Sequence, residues 1–215
     1  MNPAIPAVYI VDDDASVRRS LSRLVRQSGM DARAFASAEE YLLSHDKPVQ
    51  QPACLVVDLT MPGLSGLDLQ TELARRSNNR PVIFISGNAD IPSTVRAMRQ
   101  GAVTFLPKPF EPAELLRAIA EALEMCRKQL AADVEINDIA VRVGELTARE
   151  REVMSWVITG ALNKQIAAEL GIVERTVKVH RSRVMEKMHV LSVAELVRLC
   201  DAVAFAPAVR PQPRS

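Results

Sequence analysis

Five residues able to do chemistry stand at or just beyond the ends of short apolar runs. Asp12 and Asp13 follow residues 7–11, Asp58 closes residues 53–58, Ser86 closes residues 81–86, and Lys108 follows residues 103–106. Each has a plain structural explanation when taken alone, because carboxylates cap helices and a lone lysine is usually a solvated charge. Together at the ends of successive runs they describe a polar pocket. Three carboxylates drawn close repel one another, which raises the cost of ionising them unless a cation intervenes. Hard oxygen ligands of this kind suit Mg²⁺. Beside such an ion a free oxygen of Asp58 can attack phosphorus, and the ammonium of Lys108 would help offset the charge that builds on the phosphoryl oxygens.

Positioning these residues requires a scaffold whose strand ends converge. Apolar runs at residues 7–11, 32–35, 53–58, 81–86 and 103–106 read as five strands. They do not alternate with polar residues, as expected of parallel strands covered on both faces. Helical patterns separate them. Val17, Leu21, Leu24 and Val25 recur at helical spacing before Gly29, Ser37 with Glu40 forms a capping box, and Ser65 with Asp68 can form another. The expected class is a doubly wound α/β domain with a five-stranded parallel sheet. In such sheets the functional crevice lies outside the carboxyl ends of the strands, where the five polar residues stand.

A helix starting near Pro112 carries Leu115, Leu116, Ile119 and Leu123, and its pattern extends to Leu130 before fading over residues 131–143. Beyond that point no strand pattern occurs. Thr147 with Glu150 opens a helix that Gly160 closes, residues 163–170 form a second ending at Gly171, residues 174–188 a third, and Ser192 with Glu195 opens a fourth. Two short helices joined by a tight turn at Gly171 fit a helix-turn-helix, the second being the candidate recognition helix. Val177, Val184 and Met188 share the face expected to pack inward. Arg175, Lys178, Val179 and Ser182 lie opposite, with Arg183 at the margin.

Residues 173–189 hold five Lys/Arg against two Glu, the sign that attraction to phosphate needs, although a basic helix face taken alone is more often simply solvated. Lys178 and Val179, near the helix start, are placed to reach base edges in the major groove. Asn163, Lys164 and Thr176 are better placed for phosphates. The expected domains are 1–124, the α/β unit; 125–141, a partly helical linker; 142–207, the helical unit; and 208–215, a disordered tail.

Composition limits the alternatives. The 215 residues are 48% hydrophobic and 25% charged, with no apolar run near the ~18 residues needed to span a bilayer. The N-terminus lacks the pattern of a secretion signal, so the expected location is the cytoplasm, with no membrane partner. Cys54, Cys126 and Cys200 are too scattered for a disulfide framework or a zinc site and are expected to be buried. Net charge is +1, yet residues 1–125 hold 13 Lys/Arg against 15 Asp/Glu and residues 126–215 hold 14 against 11. That weak asymmetry fits cation chemistry in front and a polyanion partner behind.

Val11-Asp12-Asp13, the Asp58-Leu59-Thr60-Met61-Pro62-Gly63 segment, Ser86-Gly87 and Lys108-Pro109-Phe110 resemble the receiver domains of two-component response regulators. Leu146 to Glu150, Asn163 to Ala167 and Arg175 to His180 resemble the LuxR-type helix-turn-helix. The whole chain is similar to the NarL/FixJ family of transcriptional regulators. Its Phe105-Leu106-Pro107-Lys108-Pro109-Phe110 segment, with Asp90-Ile91-Pro92, leans toward the FixJ branch. This resemblance implies Asp58 as phosphoacceptor, Asp13, Asp58 and the Thr60 carbonyl as Mg²⁺ ligands, and Asp12 holding the ion's water shell. Lys108 and Ser86 would answer the phosphoryl group, the bond from Lys108 to Pro109 would be cis, and Phe105 would be an aromatic switch, though it also reads as core.

The implied partners are a histidine kinase, double-stranded DNA, a second copy of the chain in a phosphorylation-dependent homodimer, and RNA polymerase. The expected function is regulation of transcription rather than enzymatic turnover. Ser182 stands where some family members carry a base-contacting lysine, so their operators do not transfer to this chain. A haloacid-dehalogenase-like phosphohydrolase would need a second aspartate at Thr60. The basic helix with Arg175 and Lys178 disfavours a phosphorelay protein with a protein-binding C-terminal half, and the intact set of Asp12, Asp13, Asp58, Ser86 and Lys108 argues against DNA binding independent of phosphorylation.

Overall fold

Parallel strands β1 (Ala7–Val11), β2 (Asp31–Phe35), β3 (Ala53–Asp58), β4 (Val82–Ser86) and β5 (Thr104–Pro107) form one sheet in the order β2-β1-β3-β4-β5. The computed structural model describes residues 5–44, 51–76, 78–87 and 91–208. The chain divides into two compact units, Met1–Ala131 and Ala132–Ser215. The sheet belongs to the first unit and is interleaved with α1 (Ala15–Gln27), α2 (Ala38–Ser44), α3 (Gly66–Arg75), α4 (Ile91–Arg99) and the start of α5 (Pro112–Gly144).

Alternation along each strand sends side chains to two cores. Ala7, Tyr9 and Val11 of β1 join Leu55, Val57 and Phe84 under Tyr41 of α2, Leu69 and Leu73 of α3 and Ala97 of α4. Val8 and Ile10 join Cys54, Val56, Ile83 and Ile85 under Leu21 and Val25 of α1 and Leu115, Ile119 and Leu123 of α5. Every residue of β1, β3 and β4 is buried, while the edge strands β2 and β5 are only partly covered. This explains the unbroken apolar runs, each fully buried Val, Leu or Ile contributing about 1.5–3 kcal/mol. Cys54, Cys126 and Cys200 are free and buried.

The capping signals act as local physics predicts. The Ser65 hydroxyl accepts from Asp68 N (3.2 Å) while the Asp68 carboxylate accepts from Ser65 N (3.1 Å). At α2 the Ser37 hydroxyl accepts from Glu40 N, but the Glu40 carboxylate closes on Ala36 N instead of Ser37 N. Asp14 caps α1 by accepting from Ser16 N and Val17 N.

The segment expected to be a partly helical linker differs from that expectation, because α5 is one helix of 33 residues. No glycine or proline interrupts it between Pro112 and Gly144. Its apolar stripe fades over the middle because residues 131–138 are exposed. The ends of the segment are structural: Cys126 is buried in the first unit, where its Sγ accepts from Ala53 N, and Ile139 is buried in the core of the second.

That second unit is helical throughout the described residues. After the end of α5 come α6 (Ala148–Val157), α7 (Asn163–Leu170), α8 (Glu174–Lys187) and α9 (Val193–Ala202). Met188 caps α8 instead of ending it. Val153 and Met154 of α6, Ile166 of α7, Val177 and Val184 of α8 and Leu196 of α9 meet in one core. Gly171 takes φ +63° between α7 and α8, a left-handed turn that favours glycine. The expected disordered tail lies outside the described residues from 209 onward, whereas Ala208 is held by its N–H on the Ser155 carbonyl (3.0 Å). No described helix is long and apolar enough to cross a membrane.

Candidate functional site: an acidic pocket and a basic helix

Strand order reverses between β1 and β3, and the crevice opens at their carboxyl ends. Asp12 follows β1, Asp58 ends β3, Ser86 ends β4, and Lys108 follows β5. Asp12, Asp58 and Ser86 are buried and Asp13 is exposed. The Lys108 ammonium reaches both buried carboxylates, donating to Asp12 Oδ2 at 2.7 Å and to Asp58 Oδ2 at 2.9 Å. Its backbone is fixed as well: Lys108 N donates to the Ser86 carbonyl (2.7 Å), and the bond from Lys108 to Pro109 is cis.

The second oxygen of Asp58 accepts from Thr60 N (3.2 Å), and the second oxygen of Asp12 accepts from Asp14 N (2.8 Å). Burial pushes the Asp12 carboxyl above its ordinary pKa, with the hydrogen bonds from Lys108 and Asp14 offsetting only part of the effect. Burial also works against the charged form of Lys108. Its hydrogen bonds to Asp12 and Asp58 together with the attraction of their charges outweigh that cost and leave its pKa above the usual lysine range.

Ligand oxygens of Asp12, Asp13 and Asp58 lie within 4.8 Å of one another. Oxygens around an octahedral Mg²⁺ at about 2.1 Å stand about 3–4 Å apart, so this donor set fits the ion with small adjustment. Three carboxylates facing the single ammonium of Lys108 also leave a negative excess that a divalent cation offsets. The backbone N–H of Thr60 meets Asp58, while its side chain is exposed. Phe105 is half-buried against the core shared with α2, α3 and α4. Asp90 of the FixJ-like segment lies outside the described residues.

Two supporting residues escaped the sequence reading. Arg18 donates to the Asp12 carbonyl (2.6 Å), and Gly66 packs so closely that a Cβ there would stand 2.5 Å from the Asp58 carbonyl oxygen. The contact of Arg18 with the Asp12 carbonyl spans six residues across the start of α1 and leaves no motif in the local sequence. The Gly66 requirement depends on packing between β3 and α3, which local sequence does not display.

On the second unit, α8 divides as its spacing predicts. Val177, Val184 and Met188 are fully buried, whereas Arg175, Lys178, Val179, Ser182 and Arg183 are exposed. Lys164 is exposed on α7, and Asn163 and Thr176 are half-buried. Among the basic residues in this region, Arg181 donates to Asn163 Oδ1 (3.1 Å), Lys187 binds Glu150 (2.7 Å) and the Glu145 carbonyl, and Lys178 forms an exposed ion pair with Glu174 one turn earlier (3.6 Å). Because Arg181 occupies the oxygen of the Asn163 amide, the amide's N–H₂ is left as the donor for an incoming acceptor.

Residues 8–120 match the family model described as the response regulator receiver domain, and residues 144–200 match bacterial regulatory proteins of the luxR family. The chain is 48% identical over 199 residues to Nodulation protein W of Bradyrhizobium diazoefficiens, covering 93% of this chain and 87% of that protein. It is 42% identical over 200 residues to the transcriptional regulatory protein FixJ of Rhizobium meliloti, covering 93% and 97%. The solved structure of the response regulator StyR shares 45% identity and superposes with a TM-score of 0.78, over 92% of this chain and 99% of that one.

Proposed function

This chain belongs to the NarL/FixJ family of two-component response regulators, and on that premise we propose that Asp58 accepts a phosphoryl group from a histidine kinase and thereby controls DNA binding by α7 and α8. The observation that carries the reading is the Lys108 ammonium held between Asp12 and Asp58 at the carboxyl ends of β1 and β3. An Asp58 oxygen forms a bond to phosphorus as the bond from phosphorus to the kinase histidine breaks. The product is an aspartyl phosphate, and later attack by water returns the free carboxylate.

Lys108, already within reach of Asp58, turns its donors to the transferred phosphoryl oxygens. Thr60 N–H holds the Asp58 carboxylate in place. Asp13, Asp58 and the Thr60 carbonyl would hold Mg²⁺, with Asp12 on its water shell; when bound, the ion neutralises charge on the phosphoryl group as a Lewis acid. Ser86 and Phe105 are the residues that respond to the new group. Their rearrangement shifts the population toward a dimer, which matches a DNA target with two half-sites.

Asn163, Lys164 and Thr176 bind phosphates, Lys178 and Val179 read base edges, and Arg175, Ser182 and Arg183 flank them. The working domains are 1–124, 125–141 and 142–207, with 208–215 as a tail. The protein acts in the cytoplasm on transcription, with RNA polymerase as the downstream partner, rather than as a turnover enzyme.

The test is DNA affinity at fixed salt, with and without Mg²⁺ and acetyl phosphate, for wild type and Asp58→Asn on fragments enriched from genomic DNA. Tightening confined to the wild type is expected. Equal binding by both proteins would remove Asp58 control while leaving the helix-turn-helix, and no binding by a demonstrably phosphorylated protein would favour a relay role.

A further inference from the structure

The loop after Asp58 is fixed at several points, one of which is a side chain from a distant element. Leu59 N donates to the Ile85 carbonyl (3.0 Å), and Gly66 N donates back to the Leu59 carbonyl (3.1 Å), closing the loop on itself. Between these points Leu64 N donates to Glu39 Oε1 of α2 (3.0 Å), a contact spanning 25 residues of sequence. The same carboxylate lies under Gly63, whose φ of +79° favours glycine and whose added Cβ would meet Glu39 Oε1 at 2.7 Å. Glu39 is half-buried, and its carboxyl is held below the ordinary range by hydrogen bonds from its own N–H, Leu64 and Ser37. At the other end of this stretch, Thr60 N meets the phosphoacceptor carboxylate.

We infer that Glu39 is a positioning residue for phosphoryl acceptance, clamping the loop from Leu59 to Gly66 so that Thr60 stays aligned on Asp58. This rests on the assignment of Asp58 as phosphoacceptor. Glu39 touches no reacting atom. It satisfies a backbone N–H that would otherwise leave the loop free to shift, and displacements of this kind reduce rates because reacting groups tolerate little misplacement. The role needs an acceptor oxygen rather than a negative charge, so Glu39→Gln, which keeps a carbonyl oxygen, separates it from electrostatics.

The experiment compares wild type, Glu39→Ala, Glu39→Gln and Gly63→Ala as full-length proteins. Three quantities are measured: phosphorylation of Asp58 by acetyl phosphate with Mg²⁺ across donor concentrations, amide exchange at Leu64 without the ion, and thermal unfolding. Glu39→Ala should lose Leu64 protection and slow phosphorylation about tenfold at saturating donor, the size expected for one hydrogen bond to a charged group. Its melting temperature should fall by only a few degrees, the loss of one hydrogen bond, and Glu39→Gln should restore both protection and rate to within about threefold. Gly63→Ala combines the clash with Glu39 and the strain of a side chain at φ +79°, so it should slow phosphorylation in the wild-type background, and removing the clash in Glu39→Ala should recover part of that loss.

Wild-type rates and Leu64 protection in Glu39→Ala would overturn the clamp. A Glu39→Gln protein as slow as Glu39→Ala would replace it with a charge effect. If instead wild type labels at a residue other than Asp58, the phosphoacceptor assignment fails and the clamp falls with it, an outcome distinct from normal Asp58 labelling with an indifferent Glu39.

Discussion

At the scale of single residues, the second unit contains a buried charge whose partners give it a defined pH signature. The Glu150 carboxylate is buried, accepting from Lys187 Nζ (2.7 Å) and Thr147 N (2.9 Å). These bonds, Lys187's foremost, hold its carboxyl at about 2. The unfolded chain would titrate this group near 4.3, roughly the free glutamate value. A depressed folded pKa means that the stabilisation is fully present above the unfolded value and is lost as pH falls from about 4.3 toward 2. Trp156, the chain's only tryptophan, packs against the same core and reports this unit alone. Urea unfolding followed at Trp156 should show Glu150→Gln less stable by about 1–3 kcal/mol at pH 7, with the gap closing in acid. If wild type and variant lose stability in parallel between pH 6 and 3, Glu150 is not the titrating group. Thr147 and Glu150 were legible in sequence as a capping box because both partners lie within one turn. Lys187 was legible only as part of a basic helix, since its contact crosses 37 residues. The same limit hid Glu39, whereas Asp12, Asp58 and Lys108 could be read because each ends or follows its own apolar run.

At the scale of elements, approach between neighbours decides what a position tolerates. Gly66 begins α3 and packs against the end of β3, so that a Cβ there would stand 2.5 Å from the Asp58 carbonyl oxygen, 2.9 Å from Phe84 Cε1 and 3.1 Å from Val57 Cγ1. The first neighbour is backbone of a central strand and cannot step aside as a flexible side chain would. Gly66→Ala should therefore destabilise the first unit by about 1–3 kcal/mol, the usual cost of overpacking, despite the better helix propensity of alanine. Far-UV circular dichroism in urea measures this, and an unchanged midpoint would show that α3 moves freely relative to β3. The strands themselves were legible because a sheet covered on both faces leaves a chemical trace in every residue of β1, β3 and β4. The full length of α5 was not. Where a helix is exposed on all sides it carries no stripe, and Ala131, Ala132, Asp133, Val134 and Glu135 then read as the end of the element. Absence of Gly and Pro was the signal available, and it is weaker than periodicity because it permits a helix without requiring one.

At the scale of the whole molecule, the two units have separate cores, and the exposed middle of α5 belongs to neither. Separate cores predict separate responses to local damage. Val134 is exposed, so Val134→Pro removes little packing; it breaks helical hydrogen bonding and introduces a clash costing about 3 kcal/mol or more within the helix. Because Cys126 and Ile139 remain anchored in different cores on either side, that cost should stay local. Phosphorylation of Asp58 by acetyl phosphate and the Trp156 unfolding midpoint should both match wild type, as should DNA affinity in the unphosphorylated state. What should change is the increase in DNA affinity on phosphorylation, if the unbroken helix carries the coupling through the chain. A variant that keeps both activities and the full increase would show that coupling does not depend on helical continuity at Val134. A variant that loses Asp58 labelling or Trp156 stability would show that the middle of α5 supports a core after all.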